Sequence, residues 1–211
     1  MKRILKGISP KFFEDWKRDF EINNSKKPNY DDDFVNPTKL KLKRKLLIEQ
    51  GYLCCYCMDR VLDESSHIEH FIPQNHCKEK DLDYTNMFVS CNGYTNELWD
   101  DHCGHRKDNW YDSSLMISPT SAKIDVSFEF TIDGQIFGKN VKAREMIAKL
   151  GLDSYELNRK RMAALEVSEF YDDIIYDPDE IKEFVESYET KVEDCYSPFC
   201  NVIIYNLLHN Y

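Results

Sequence analysis

Cys54 and Cys57 stand in the run Leu-Cys-Cys-Tyr-Cys, a spacing at which two thiolates on one tight turn reach a single tetrahedral zinc ion. A second pair must close such a site. Cys91 and Cys103 are the best placed, with His102 and Cys77 as competing ligands. Between the two halves lies Glu69-His70, inside the apolar run 67–73 that ends at Pro73. Adjacent strand residues project to opposite faces, so the carboxylate can hold a metal while the imidazole faces a water molecule. An imidazole titrates near neutrality and is suited to taking a proton there. His67 shares the strand face of Glu69 and could assist it, although it reads first as a surface histidine. Six of the eight cysteines and five of the six histidines fall within residues 54–109, so any chemistry is concentrated there. A redox role for the Cys-x-x-Cys pair would call for a βαβ pattern around it, which is missing. Cys55, Cys195 and Cys200 read as buried thiols.

The elements that must position these groups can be read from caps and periodicity. Ser9-Pro10 opens a first helix carrying Phe12, Phe13, Trp16 and Phe20 at helical spacing. A polar loop covers 23–37, and Thr38 caps a second helix running to about Gln50, with Gly51 past its end. The central module then reads strand (67–73), short extended run (84–91), helix (102–110). Val126, Phe128, Phe130 and Ile132 alternate before Asp133-Gly134, a hairpin signal. Helices follow over 140–150, from Asp153 or Ser154 to about Tyr176, from Asp177-Pro178, and from Ser197-Pro198.

The length of 211 residues suits one mixed domain or a small module with helical flanks, and a hydrophobic content of 42% supports a folded chain. The division expected is a helical segment over 1–50, a chemical module over 51–112, and a hairpin with helices over 113–211. No apolar run is long enough to span a bilayer and no signal region opens the chain, so a cytoplasmic protein without a membrane partner is expected. Clustered cysteines at metal-ligand spacing agree with that compartment. The net charge of −10 is unevenly spread: residues 166–194 hold twelve acids and two lysines, and the rest of the chain sums to zero. Lys39, Lys41, Lys43, Arg44 and Lys45 make a basic stretch just before the cysteine hook, either a solvated face or a phosphate contact.

Cys54-x-x-Cys57, Glu69-His70-Phe71-Ile72-Pro73, Asn86 before the apolar run to Cys91, and Cys103-Gly104-His105-Arg106-Lys107 together resemble the HNH endonucleases. The resemblance implies an α+β fold with a zinc-braced ββα-metal finger, which cuts phosphodiesters of nucleic acid, DNA before RNA. It implies that His70 is the general base, that Glu69 and His105 hold a catalytic Mg2+ or Mn2+, and that Asn86 constrains the His70 loop. It gives Cys54, Cys57, Cys91 and Cys103 a structural Zn2+, and Lys107 or Arg106 a phosphate contact.

Two departures stand out. The family's metal-binding acid is usually Asp or His, and Glu69 is longer than Asp. His105 lies one residue later after Cys103 than in the commonest pattern, which makes Asn109 an alternative third ligand. Over most of the chain the resemblance narrows to the PtuB nucleases of Septu-type antiphage systems, also found beside some retrons. It is carried by Lys6-Gly7, Glu49-Gln50, Leu82-Asp83-Tyr84, Lys107-x-Asn109, Leu150-Gly151-Leu152 and Arg161. That likeness implies an ATPase partner of the PtuA type; the acidic segment over 166–194 is either its docking surface or a solvated face. The rival readings are a zinc-ribbon module that binds nucleic acid or protein without catalysis, and a toxin-like nuclease that cuts RNA such as tRNA.

Overall fold

The structure is a computed structural model in which residues 1–93, 101–168 and 177–210 are described. It is mixed α/β: seven helices and two small antiparallel strand pairs among the described residues. The first pair is β1 (Ser66–His70) with β2 (Met87–Cys91), in a register that sets Glu69 opposite Phe88 and His70 opposite Met87. A five-residue helix, α3 (Cys103–Lys107), follows and packs on β2. The strand, strand, helix order expected for residues 67–110 is therefore present, and the run over 84–91 is mixed, a turn of 3-10 helix (Tyr84–Asn86) leading into β2. The second pair, β3 (Phe128–Phe130) and β4 (Ile136–Gly138), is the hairpin signalled by Asp133-Gly134, and Gly134 takes the left-handed φ of 81° that the turn needs.

Helices α1 (Lys11–Asn24) and α2 (Thr38–Glu49) precede the module. Their caps differ from expectation. Pro10, not Ser9, holds the N-cap position, and the Ser9 hydroxyl turns instead to the Glu14 carboxylate at 2.5 Å. Thr38 is already helical; the Asn36 side chain, one turn earlier, accepts from the Leu40 amide at 3.2 Å and does the capping work. Behind the module come α4 (Val141–Leu150), α5 (Tyr155–Val167), α6 (Pro178–Glu189) and α7 (Cys200–Asn210). Asn140, Ser154 and Asp177 cap α4, α5 and α6 through their side chains. The last turns expected of the helix after Ser154 fall on 169–176, outside the described residues. The final helix starts at Cys200, because Phe199 takes a left-handed φ of 54°.

One buried cluster runs from Met1 to Leu207 and includes the faces of α1, α2, β2, α4 and α7. Glu49 and Gln50, at the end of α2, join the N-terminal segment to the module. The Glu49 carboxylate pairs with Lys6 at 2.9 Å and accepts from the Gly7 amide at 2.7 Å and the Tyr84 hydroxyl at 2.8 Å. The Gln50 amide accepts from the Val89 N–H at 2.7 Å and donates to its carbonyl at 2.9 Å, so one side chain completes the open edge of β2. The basic stretch before the hook is largely committed to the protein itself. Lys39 and Lys41 lie over the rings of Tyr30 and Phe12, and Lys43 and Arg44 bind the 63–66 turn. No helix among the described residues is long and apolar enough to cross a membrane.

Candidate functional site

The hook is built by a tight turn. Leu53 bridges Arg60, the Cys54 amide donates to the Asp59 carbonyl at 2.9 Å, and Tyr52 and Met58 adopt φ of 58° and 67° to close the loop. Cys91 ends β2, and Cys103 opens α3 with a φ of 60°. The four sulfurs of Cys54, Cys57, Cys91 and Cys103 all lie within 4.8 Å of one another. The Cys57–Cys91 separation of 3.9 Å is close to the edge of a tetrahedron around zinc with bonds of 2.3 Å, about 3.8 Å. The electrostatics divide the four thiols: burial pushes Cys57 and Cys103 well up, while Cys54 and Cys91 are drawn down. Burial raises the Cys54 thiol, but donation from Cys103, Cys55, Cys57 and Cys91 outweighs it and holds Cys54 well below the thiol range. Cys103 draws Cys91 down to about 7. These four residues fit a structural zinc ion.

The competing ligands fall into place around this cluster. Cys77 lies in the loop after Pro73, outside the cluster. The His102 Nδ1 sits 3.2 Å from the Cys103 sulfur and 3.7 Å from that of Cys91, the position of a donor to thiolates. Cys55 is buried, which pushes its thiol up.

Tyr56, between the two hook cysteines, reaches from the cluster to the second site. Its hydroxyl donates to Glu69 Oε1 at 3.1 Å. The same oxygen takes the Lys107 ammonium at 2.8 Å, and Lys107 also donates to the His70 carbonyl at 2.9 Å. Glu69 is only 7% exposed, and burial alone would raise its carboxyl; His67 and Lys107 reverse this and hold it below the usual range. Its other oxygen, Oε2, faces His67 Nε2 at 3.4 Å. Burial lowers His67, and Glu69 with Asn92 more than offsets this, leaving it raised.

His70 lies on the opposite side of β1, its ring edge-on to Tyr30 at 4.5 Å. Its Nε2 sits 2.8 Å from the Asp81 carbonyl, which can only accept, so Nε2 carries the proton and Nδ1 is left with a lone pair. Burial lowers its basicity, partly countered by that carbonyl and by Glu69. Asn86 braces the chain just beyond. It accepts from the Ile72 amide at 2.8 Å and donates to the carbonyls of Ile72 at 3.0 Å and Lys80 at 3.1 Å. Glu69, His70, Lys78, Lys107 and Asn109 line one open cleft of about 320 Å³.

The sequence-derived set is thus only partly gathered. Glu69, His70, Asn86 and Lys107 meet. Lys107 is 2% exposed and bound to Glu69, so its charge is spent inside the protein rather than held out for a phosphate. Arg106 packs against Gly151, whose added Cβ would lie 2.7 Å from Arg106 Cδ. Asn109 shares the cleft, but its Oδ1 accepts from Asn75 at 2.7 Å. His105 is exposed, its ring 5.5 Å from that of His67, and no second set of three His, Cys, Asp or Glu ligands converges among the described residues. Sequence reasoning missed Tyr30, Tyr56, Asp81 and Asn92. Tyr56 had a legible signal, since it lies inside the hook; the others act through ring packing, a carbonyl or a distant amide that no spacing reveals.

Compared with known proteins, the chain matches no family model and no curated protein. What the geometry defines is a four-cysteine cluster that could hold a metal ion, beside a cleft lined by Glu69 and His70.

Proposed function

We propose that this chain is a metal-dependent HNH-type endonuclease that hydrolyses phosphodiester bonds of nucleic acid, DNA before RNA. The observation that carries the reading is the fixed tautomer of His70. Its Nε2–H is tied to the Asp81 carbonyl, which leaves Nδ1 as the basic nitrogen, and His70 and Glu69 line one cleft at the strand end. A general base needs this kind of anchoring, with the far nitrogen bonded and the near one free. Asn86 keeps the loop after His70 in place, and Lys107 ties the His70 carbonyl to Glu69. Glu69 supplies the anionic ligand for a divalent cation, which when bound would stabilise charge developing on the phosphate. His70 takes the proton from the attacking water. The zinc cluster holds the hook, and through Tyr56 the position of Glu69.

The resemblance to PtuB nucleases supports a role in antiphage defence with a PtuA-type ATPase partner. The charge distribution agrees with a partner: a chain of net charge −10 gains little from counterion release on its own. The test is incubation of the purified protein with plasmid and with total RNA, with Mn2+ or Mg2+ and with EDTA. Metal-dependent plasmid cutting that is lost in His70→Ala is expected. Cutting of RNA alone would favour the toxin-like alternative. Binding without cutting under every metal would leave a zinc-ribbon module and end the nuclease reading. Co-purification with the ATPase tests the partner.

A further inference from the structure

We infer that His67 and Glu69 are the protein ligands of the second cation, and that their site takes a transition-metal dication in preference to Mg2+. This deepens the nuclease reading and rests on it for the purpose of the ion, not for its binding. Three observations carry it.

The first is the gap. His67 Nε2 and Glu69 Oε2 face each other at 3.4 Å, longer than the 2.7–2.9 Å of a good charge-assisted hydrogen bond. Two ligands of one ion with bonds of about 2.1 Å stand roughly 3.0–3.4 Å apart.

The second is the tautomer. The Asn92 amide donates to the Glu64 carbonyl at 3.3 Å, which turns its oxygen toward His67 Nδ1, also at 3.3 Å. An amide oxygen only accepts, so Nδ1 carries a proton, and with the ring neutral the lone pair at Nε2 faces a carboxylate oxygen. A cation between the two, a metal ion or a second proton on Nε2, resolves that meeting. A metal-bound histidine whose other N–H is held by an oxygen has this pattern.

The third is the space. A Cβ on Gly104 would lie 2.6 Å from His67 Nε2 and 2.7 Å from Glu69 Oε2. Gly104 has an ordinary helical φ, so the need for glycine there is room rather than backbone freedom. The absent side chain leaves the mouth of the gap bare. His105, the residue after it, is exposed and stands edge-on to His67 with ring centroids 5.5 Å apart, and the pair needs no ligand from it.

An imidazole with one carboxylate suits Mn2+, Co2+, Ni2+ or Zn2+, whereas Mg2+ prefers an all-oxygen shell and sheds water reluctantly.

The experiment titrates full-length, zinc-loaded protein with Mn2+ and separately with Mg2+, by calorimetry and by the EPR signal of free Mn2+, with zinc content and melting temperature as controls on folding. Wild type is expected to bind one further equivalent of Mn2+, about tenfold or more tighter than Mg2+. His67→Gln should lose that equivalent, Asn92→Ala should weaken it about 10- to 100-fold, and His105→Ala should keep it. No second equivalent in wild type, unchanged binding in His67→Gln, or Mg2+ bound as tightly as Mn2+ would each overturn the inference; the first would leave the pair as a protonated imidazole on a carboxylate. Should His67→Gln lose its zinc, Asn92→Ala decides, since it alters only the far nitrogen. His67-dependent Mn2+ binding with no cutting of DNA or RNA would end the nuclease reading and keep this site. Cutting that persists with Mn2+ binding indifferent to His67 would do the reverse.

Discussion

His70 and Asn86 divide one task at the scale of single residues. One carries the basic nitrogen, and the other holds the loop that aims it. His70→Ala should lower cutting by about 10²–10⁴-fold, the range for a lost general base, with zinc content unchanged. Because burial depresses His70, the acid limb of the kcat/KM profile should fall below the ordinary imidazole value of 6.5. A limb above it would mean the ring is stabilised as a cation. Asn86→Ala strands the Ile72 amide and carbonyl and removes one of two donors to the Lys80 carbonyl, in a position that is 5% exposed. The expected cost is about 2–3 kcal/mol in urea unfolding, with the loss of activity rising alongside.

At the scale of elements, the module is too small to hold itself. Five-residue strands and a five-residue helix bury little surface alone, and four thiolates gathered without a cation repel one another. Cys57→Ser should therefore lower zinc stoichiometry and melting temperature together, and a strong chelator should unfold the module rather than merely inhibit it. Unchanged zinc content in Cys57→Ser would remove that residue from the ligand set. The Gln50 side chain matters for the same reason. It stands in for part of a missing third strand on β2, so Gln50→Leu leaves the Val89 amide unpaired and its carbonyl with the Cys55 amide alone, and should cost about 1–3 kcal/mol.

For the whole molecule, the flanks grip the module from both sides. Arg161, 1% exposed, donates to the Gly134 and Leu152 carbonyls and to Asn158, which locks the hairpin turn to α5. Its loss should destabilise the C-terminal half without touching the cleft. The acidic helix α6 has no buried residue and packs on α7. Replacing Glu183, Glu186 and Glu189 with Gln should change stability by less than about 0.5 kcal/mol. If that face docks an ATPase, the same change should weaken co-purification; undiminished recovery of the complex would assign α6 to solvent alone.

The gathering of the four cysteines, the hairpin and nearly every helix were legible in the residues, because each has a local signature: thiolate spacing, a capping side chain, an alternating run, a glycine after a last turn. The motifs carrying the family likeness also proved structural, since Lys6, Glu49, Gln50 and Arg161 are tie-points between elements. The company that Glu69 keeps was decided only in three dimensions. His67 is two residues from Glu69 and His105 thirty-six, yet spacing does not say which ring meets the carboxylate; the shared face of β1 and the close approach of α3 at Gly104 put His67 against it. Ligand choice depends on where backbone is absent as much as on which side chains are present, and that cannot be counted from spacing.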